Sequence, residues 1–207
     1  MHTLLDLRGS IPTFIHLTNG NVHDVKALDC VPIEAGAYYL MDKGYVDFNR
    51  LYKLIHLKRA FFVTRAKSNM IYETIAHMPV DQETGVIKDE TIKLIGLKTS
   101  KDYPEYIRMV TYEDFATNTV YNFLTNDFEL SSLTIAELYR ERWKVELFFK
   151  WIKQHLRIKS FYGTSQNAVY SNLDRRMFIL AHCNYEKENW FGSISLYVIP
   201  NNWSNSV

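Results

Sequence analysis

Cysteine is nearly absent from this sequence: Cys30 and Cys183 are the only two in 207 residues. Two isolated cysteines make neither a disulfide framework nor a metal-ligand spacing, which fits a reducing cytosol. Long apolar runs are missing as well. None approaches the ~18 residues that a membrane span requires. The opening stretch, Met1 to Ser10, lacks the charged-then-apolar build of a signal peptide. Internal repeats and low-complexity tracts do not occur. Nor does one charge dominate: 24 Lys and Arg stand against 23 Asp and Glu, for a formal net charge of +1. Global charge therefore argues for no class of partner, and local charge must carry that argument.

What the chain does have is apolar mass. Hydrophobic residues make up 47% of it, enough to bury a sizeable core in one domain or in one domain with an insertion. The first 65 residues alternate strand and helix signals. His2 to Leu7 and Ile11 to Leu17 read as two strands around the turn at Arg8-Gly9-Ser10. Val22 to Leu28 reads as a short polar helix. Ala37 to Met41 is an apolar run ending at Asp42-Lys43-Gly44, which suits a buried strand. Asp47 can cap a helix from Phe48 to Leu57, and Ala60 to Thr64 reads as a further strand. Strand, helix, strand at this spacing implies a βαβ crossover and a parallel pair. Residues 66–127 change character. Short alternating runs at Met70–Ile75, Val86–Leu97, Tyr106–Tyr112 and Thr119–Leu124 predict an antiparallel β insertion whose end returns to the main sheet. Residues 128–170 carry a long helix, expected from Thr134 to about Leu156, with Thr134 and Glu137 at the spacing of a capping box.

Chemistry concentrates on that helix. At 100° per residue, Tyr139, Arg142, Glu146 and Lys153 fall within about a 60° arc, and Lys150 lies beside them. Val145, Phe148, Phe149, Ile152 and Leu156 form a core stripe on the other side. One face thus packs while the other presents a carboxylate flanked by cations and a tyrosine. A carboxylate can hold a divalent cation that activates water and stabilises charge at phosphorus. Arginine and lysine one or two turns away can grip a DNA backbone. From Tyr139 to Lys159 there are seven Lys or Arg against Glu141 and Glu146, a local charge of +5. Trp143, Trp151, Phe161 and Tyr162 interleave with that charge. The two tryptophans read first as packing residues and second as base-stacking ones.

Tyr139, Arg142, Glu146 and Lys153 match the Y-x2-R-x3-E-x6-K pattern of the insertion sequence four family of DDE transposases, and the chain resembles that family over about residues 1–170. Asp42, within Tyr39-Leu40-Met41-Asp42-Lys43-Gly44-Tyr45, resembles the family's second catalytic aspartate. It ends a predicted buried strand, where sites of parallel sheets collect. The stretches Leu5 to Pro12, Asn19 to Val25 and Ser160 to Ser165 are similar to the family too. The resemblance implies an α/β, ribonuclease-H-like mixed sheet with flanking helices and an antiparallel β insertion. It implies Asp42 and Glu146 as catalytic metal ligands in a two-Mg²⁺ site. Tyr139, Arg142, Lys150 and Lys153 would contact DNA at the transposon end. The implied reaction is strand cleavage by water, then strand transfer into target DNA. The implied protein is a bacterial, cytoplasmic, nucleoid-associated homodimer with no membrane role.

The chain departs from the family pattern at both ends. The family places its first catalytic aspartate upstream of the stretch matching Met1, so the first strand is expected to be missing and the metal site incomplete. A sheet without it would expose an edge. Asp6 lies in a predicted second strand and does not replace that aspartate. His23 and Asp24 read as helix-start or core-edge groups rather than ligands. After Val169 the text ceases to match, and a frameshift near Ser171 would make 171–207 an atypical tail. The expectation is a transposase fragment inactive in isolation. The alternative is a non-catalytic DNA-binding remnant that uses the basic helix over 139–159.

Overall fold

A computed structural model describes residues 2–6, 11–16, 24–155 and 196–199, without side chains for parts of the two ends and of the long helix. The chain opens with a hairpin of β1 (His2–Asp6) and β2 (Ile11–His16), bulged between Leu4 and Leu5. A 3₁₀ turn at Asp24–Cys30 leads to β3 (Tyr38–Met41), whose four residues are all buried. Both faces of this strand are covered, as a strand in a parallel pair requires. A helix follows, α-helical at Phe48–Arg50 (α1) and π-helical at Leu51–His56. The Asp47 side chain accepts from Arg50 N at 3.0 Å and so caps its start, as its position in the sequence predicts. The crossover ends in β4 (Phe61–Arg65), parallel to β3 with Met41 opposite Thr64.

The insertion comprises β5 (Tyr72–His77), β6 (Val86–Leu94), the single turn α2 (Thr99–Asp102), β7 (Ile107–Asp114) and β8 (Thr119–Thr125). It does not stand apart. β8 pairs antiparallel with β4, and the four strands continue the same sheet in the order β8-β7-β6-β5. Then comes α3 (Ser132–His155), 24 residues laid across β3, β4, β6, β7 and β8. Its start is held by Ser131, whose hydroxyl accepts from Thr134 N at 3.1 Å. Ser131 rather than Thr134 is therefore the cap, and the helix begins earlier than the capping-box spacing suggests. The last described strand, β9 (Leu196–Ile199), lies between β1 and β3, antiparallel to one and parallel to the other. The edge expected beside a missing strand is thus covered, by apolar residues that include no carboxylate. The change of text near Ser171 lies outside the described residues, as does the rest of 171–207 apart from β9.

Period-two alternation sorts the side chains. Tyr39, Met41 and Phe62 point into a core shared with Phe48, Leu51, Ile55 and Tyr103. Leu40 and Val63 face the other way, where α3 contributes buried Ile135, Leu138 and Tyr139. By the same alternation Asp42 and Arg65, one residue past Leu40–Met41 and Val63–Thr64, arrive on the α3 side at one end of the sheet.

Candidate metal and phosphate site

Asp42 follows the last residue of β3 and turns the chain. Its Oδ1 accepts from Gly44 N at 3.3 Å, capping the 3₁₀ turn Lys43–Tyr45. The carboxylate is nearly buried, and a charge so placed needs a partner. It has two. Arg65 Nη2 lies 3.2 Å from Oδ2, and Arg142 Nη1 lies 3.8 Å from that same oxygen. Arg142 Nη1 also meets Glu146 Oε1 at 2.8 Å, one helical turn along α3. A single nitrogen therefore touches two carboxylates from distant parts of the sequence. The two oxygens fall within ~8 Å of one another, the reach of a bridging divalent cation.

Tyr139 completes the group. Its ring packs at 4.8 Å between centroids against Phe123. The guanidinium carbons of Arg65 and Arg142 stand 5.9 Å and 5.5 Å from the same ring, within cation–π range. Burial raises the tyrosine's pKa, with the two arginines acting in the opposite direction. Burial alone would lower that of Arg142, but Tyr139, Glu146 and Asp42 more than offset it, so it is raised. Both groups keep their ordinary protonation at neutral pH: a neutral phenol among fixed positive charges.

Three polar atoms of this group are buried and lack an aligned hydrogen-bond partner among the described residues: Arg65 Nε, Tyr139 Oη and Arg142 Nε. Buried polar groups are rarely left unpaired, so each of these calls for a partner such as a water, an ion or a ligand. Glu146 is more open, its side chain 43% exposed, so the group faces solvent on its α3 side.

Of the sequence-predicted residues, the structure brings Asp42, Tyr139, Arg142 and Glu146 together. Lys150 is exposed one turn beyond Glu146. The side chain of Lys153 lies outside the described residues, as do those of Val145, Phe148, Phe149 and Trp151. Trp143 is not a core residue: it is 56% exposed. Asp6 is remote. It pairs with Tyr197, which pairs with Tyr39, so it stands two strands over and three residues short of Asp42, on the order of 14 Å away. Arg65 is the residue that sequence reasoning missed. Its place follows from the observed parallel register, which sets the position after Met41 beside the position after Thr64.

The donor set fits one divalent cation: two carboxylates close together supply hard oxygen ligands. Among the described residues, no group of three or more His, Cys, Asp or Glu could hold a metal. No helix among them is long and apolar enough to cross a membrane.

Residues 1–181 match the family described as Transposase DDE domain. A Sinorhizobium fredii protein named as a transposase, y4zB, is 37% identical over 185 residues, covering 87% of this chain and 51% of that one. A protein of Geobacillus stearothermophilus, named as a transposase for insertion sequence element IS5377, is 28% identical over 84% of this chain and 45% of its own. A Synechocystis protein named for element IS4SA is 27% identical over 80% and 46%. The chain spans about half the length of these relatives. No solved structure matches it.

Proposed function

This chain belongs to the transposase DDE domain family, and from that premise we propose that it carries part of the machinery of DNA transposition, with Asp42 and Glu146 as ligands of a divalent cation. The observation that supports this most is the shared contact of Arg142 Nη1 with both carboxylates. It brings together two residues that the sequence pattern singles out independently. Tyr139, Arg142, Lys150 and Lys153 are the DNA-contacting set, positioned by one turn after another of α3. Mg²⁺ is the expected occupant. Bound, it would polarise a phosphodiester and lower the pKa of a water.

The chain's own groups have separable roles. Arg142 and Arg65 offer guanidinium forks for phosphate oxygens. Tyr139 holds both in place through its ring and donates from its phenol. Asp42 is fixed by the Gly44 N–H, so its second oxygen keeps one direction. Among the described residues only these two carboxylates face the site, and β9 brings no third beside Asp42. We therefore expect little strand cleavage from this chain alone, and a homodimer of longer subunits as the working form.

The test is a fluorescence-anisotropy titration with duplex DNA, repeated at several salt concentrations with and without Mn²⁺. Binding should weaken steeply with salt, and Arg142→Ala should weaken it about 10-fold or more at low salt. Mn²⁺ should strengthen binding in the wild type and not in Asp42→Asn. Binding that ignores Mn²⁺ altogether would favour the DNA-binding remnant over a cation site. Absence of DNA binding would remove both readings.

A further inference from the structure

The site's two carboxylates already have occupants. Arg65 sits on Asp42, and Arg142 sits on Glu146 while reaching to Asp42. A divalent cation binds carboxylate oxygens at roughly 2.0–2.6 Å. Placed there, it would stand within about 4 Å of two guanidinium groups, a like-charge contact in a half-buried setting. Cation entry therefore requires the guanidiniums to move. An arginine leaving a carboxylate in such a place needs another acceptor, or the loss costs as much as breaking a buried pair.

The other half of the site lacks that acceptor. Arg65 Nε, Tyr139 Oη and Arg142 Nε are buried donors without an aligned partner. A phosphodiester group supplies several acceptor oxygens and full negative charge to this cluster. Both arginines are restrained by the Tyr139 ring at 5.9 Å and 5.5 Å, so they pivot over one surface. The carboxylates and the phosphate thus compete for the same guanidinium pair.

We propose that Arg65 and Arg142 make this a phosphate-gated cation site. DNA phosphate draws the two guanidiniums off Asp42 and Glu146, and the freed carboxylates then take the cation. DNA and cation consequently bind with positive coupling, each raising the affinity of the other by the same factor. Arg65 is the gating residue, since its side chain contacts Asp42 and not Glu146. The proposal rests on Asp42 and Glu146 being the cation ligands. It goes beyond that reading in making cation affinity depend on an arginine outside the helical pattern. A phosphate beside a cation also attracts it directly, and that attraction needs no arginine. The variant arms below separate the two causes.

The experiment measures free Mn²⁺ by electron paramagnetic resonance while the whole chain is titrated. It is run alone and with a duplex of about 20 base pairs and arbitrary sequence, long enough to present many phosphates. For wild type, the duplex should raise Mn²⁺ affinity about 10-fold, inside the usual ~5–150-fold range of coupling between sites. Arg65→Gln should bind Mn²⁺ several-fold more tightly without DNA and lose most of the gain from DNA. Arg65→Lys keeps a positive charge at Asp42 and should retain the weak DNA-free affinity, which also guards against a folding defect in the glutamine variant. If Arg65→Gln has wild-type affinity without DNA and wild-type coupling, gating is overturned and direct attraction explains the effect. If Asp42→Asn and Glu146→Gln leave Mn²⁺ affinity unchanged, it is the cation-site reading beneath the proposal that fails.

Discussion

Two arginine–aspartate pairs in this protein look alike on paper and differ in every physical respect. The first joins Arg108 of β7 to Asp89 of β6. Both side chains are almost sealed, at 4% and 2% exposure, and the contact is bidentate at 2.9 Å and 2.6 Å. The remaining Arg108 nitrogen, Nη1, donates to the backbone carbonyls of Asp127 and Leu130. Every nitrogen of that guanidinium has an acceptor. The second pair joins Arg65 and Arg142 to Asp42 through single contacts of 3.2 Å and 3.8 Å, and each arginine keeps an unpartnered Nε. A fully satisfied buried network fixes one arrangement; a partly satisfied one has capacity to bind something else. The first pair is a joint and the second is a socket.

The joint works at the point where α3 begins. Asp127 accepts from Glu129 N and Leu130 N at 2.8 Å each and from the Tyr38 hydroxyl. Asn126 ties to Ala60 O and Phe62 N. The segment feeding α3 is thus anchored to β3, β4, β6 and β7 at once. This sets where α3 starts relative to the strand that ends in Asp42.

The largest effect should come from breaking the joint. Arg108→Ala strands a buried carboxylate, so urea denaturation should show a loss of about 3–5 kcal/mol. A loss comparable to that of a surface pair would erase the contrast. Next comes Tyr38→Phe, which removes the hydroxyl from Asp127 and should cost about 1.5–3 kcal/mol, as for a hydrogen bond to a charged group. Burial, then the Asp127 bond, raises the Tyr38 pKa above the ordinary 10.0. Its contribution is therefore complete below pH 10 and is lost as pH rises through the folded value. The phenylalanine variant should show a flatter alkaline limb in a pH series of melting curves. Smaller still should be Asp42→Asn. The amide oxygen remains an acceptor for both guanidiniums and only the charge is lost, so stability should change by about 1 kcal/mol while Mn²⁺ affinity falls sharply. The smallest effect belongs to Asp29→Asn. Its bonds to Arg50 at 2.9 Å lie at the surface, with the Asp29 side chain 48% exposed, and should be worth under about 0.5 kcal/mol. The Arg50 bond lowers the Asp29 pKa, so that small contribution is present above the ordinary value of 3.8 and disappears as pH falls through the folded one.

The socket was partly legible in the sequence and the joint was not, for one reason. Tyr139, Arg142 and Glu146 share a helix, where a fixed angle per residue turns spacing into geometry. Asp42 was legible because an apolar run ending in Asp-Lys-Gly marks the end of a buried strand. Arg65 depends on aligning two strands across a crossover, and no local period encodes that register. Asp89 and Arg108 sit on neighbouring strands that are joined by a long connection containing α2, so their charges looked like any others in alternating runs. The helix cap moved from Thr134 to Ser131 because both are good caps and the choice belongs to the Asp127 anchor before them. Leu196–Ile199 entered the sheet centre although the text around it had stopped resembling the family. Four apolar, β-prone residues suffice for a strand with partners waiting on both sides.

The proposed site requires that one cation be shared by Asp42 and Glu146. A double-mutant cycle on Mn²⁺ affinity in the presence of duplex DNA addresses that sharing directly. If one ion touches both, Asp42→Asn, Glu146→Gln and the double variant should lose nearly the same affinity, because the second change removes a ligand from a site already broken. Losses that multiply in the double variant would mean that the two carboxylates act independently, and the shared site would have to be abandoned.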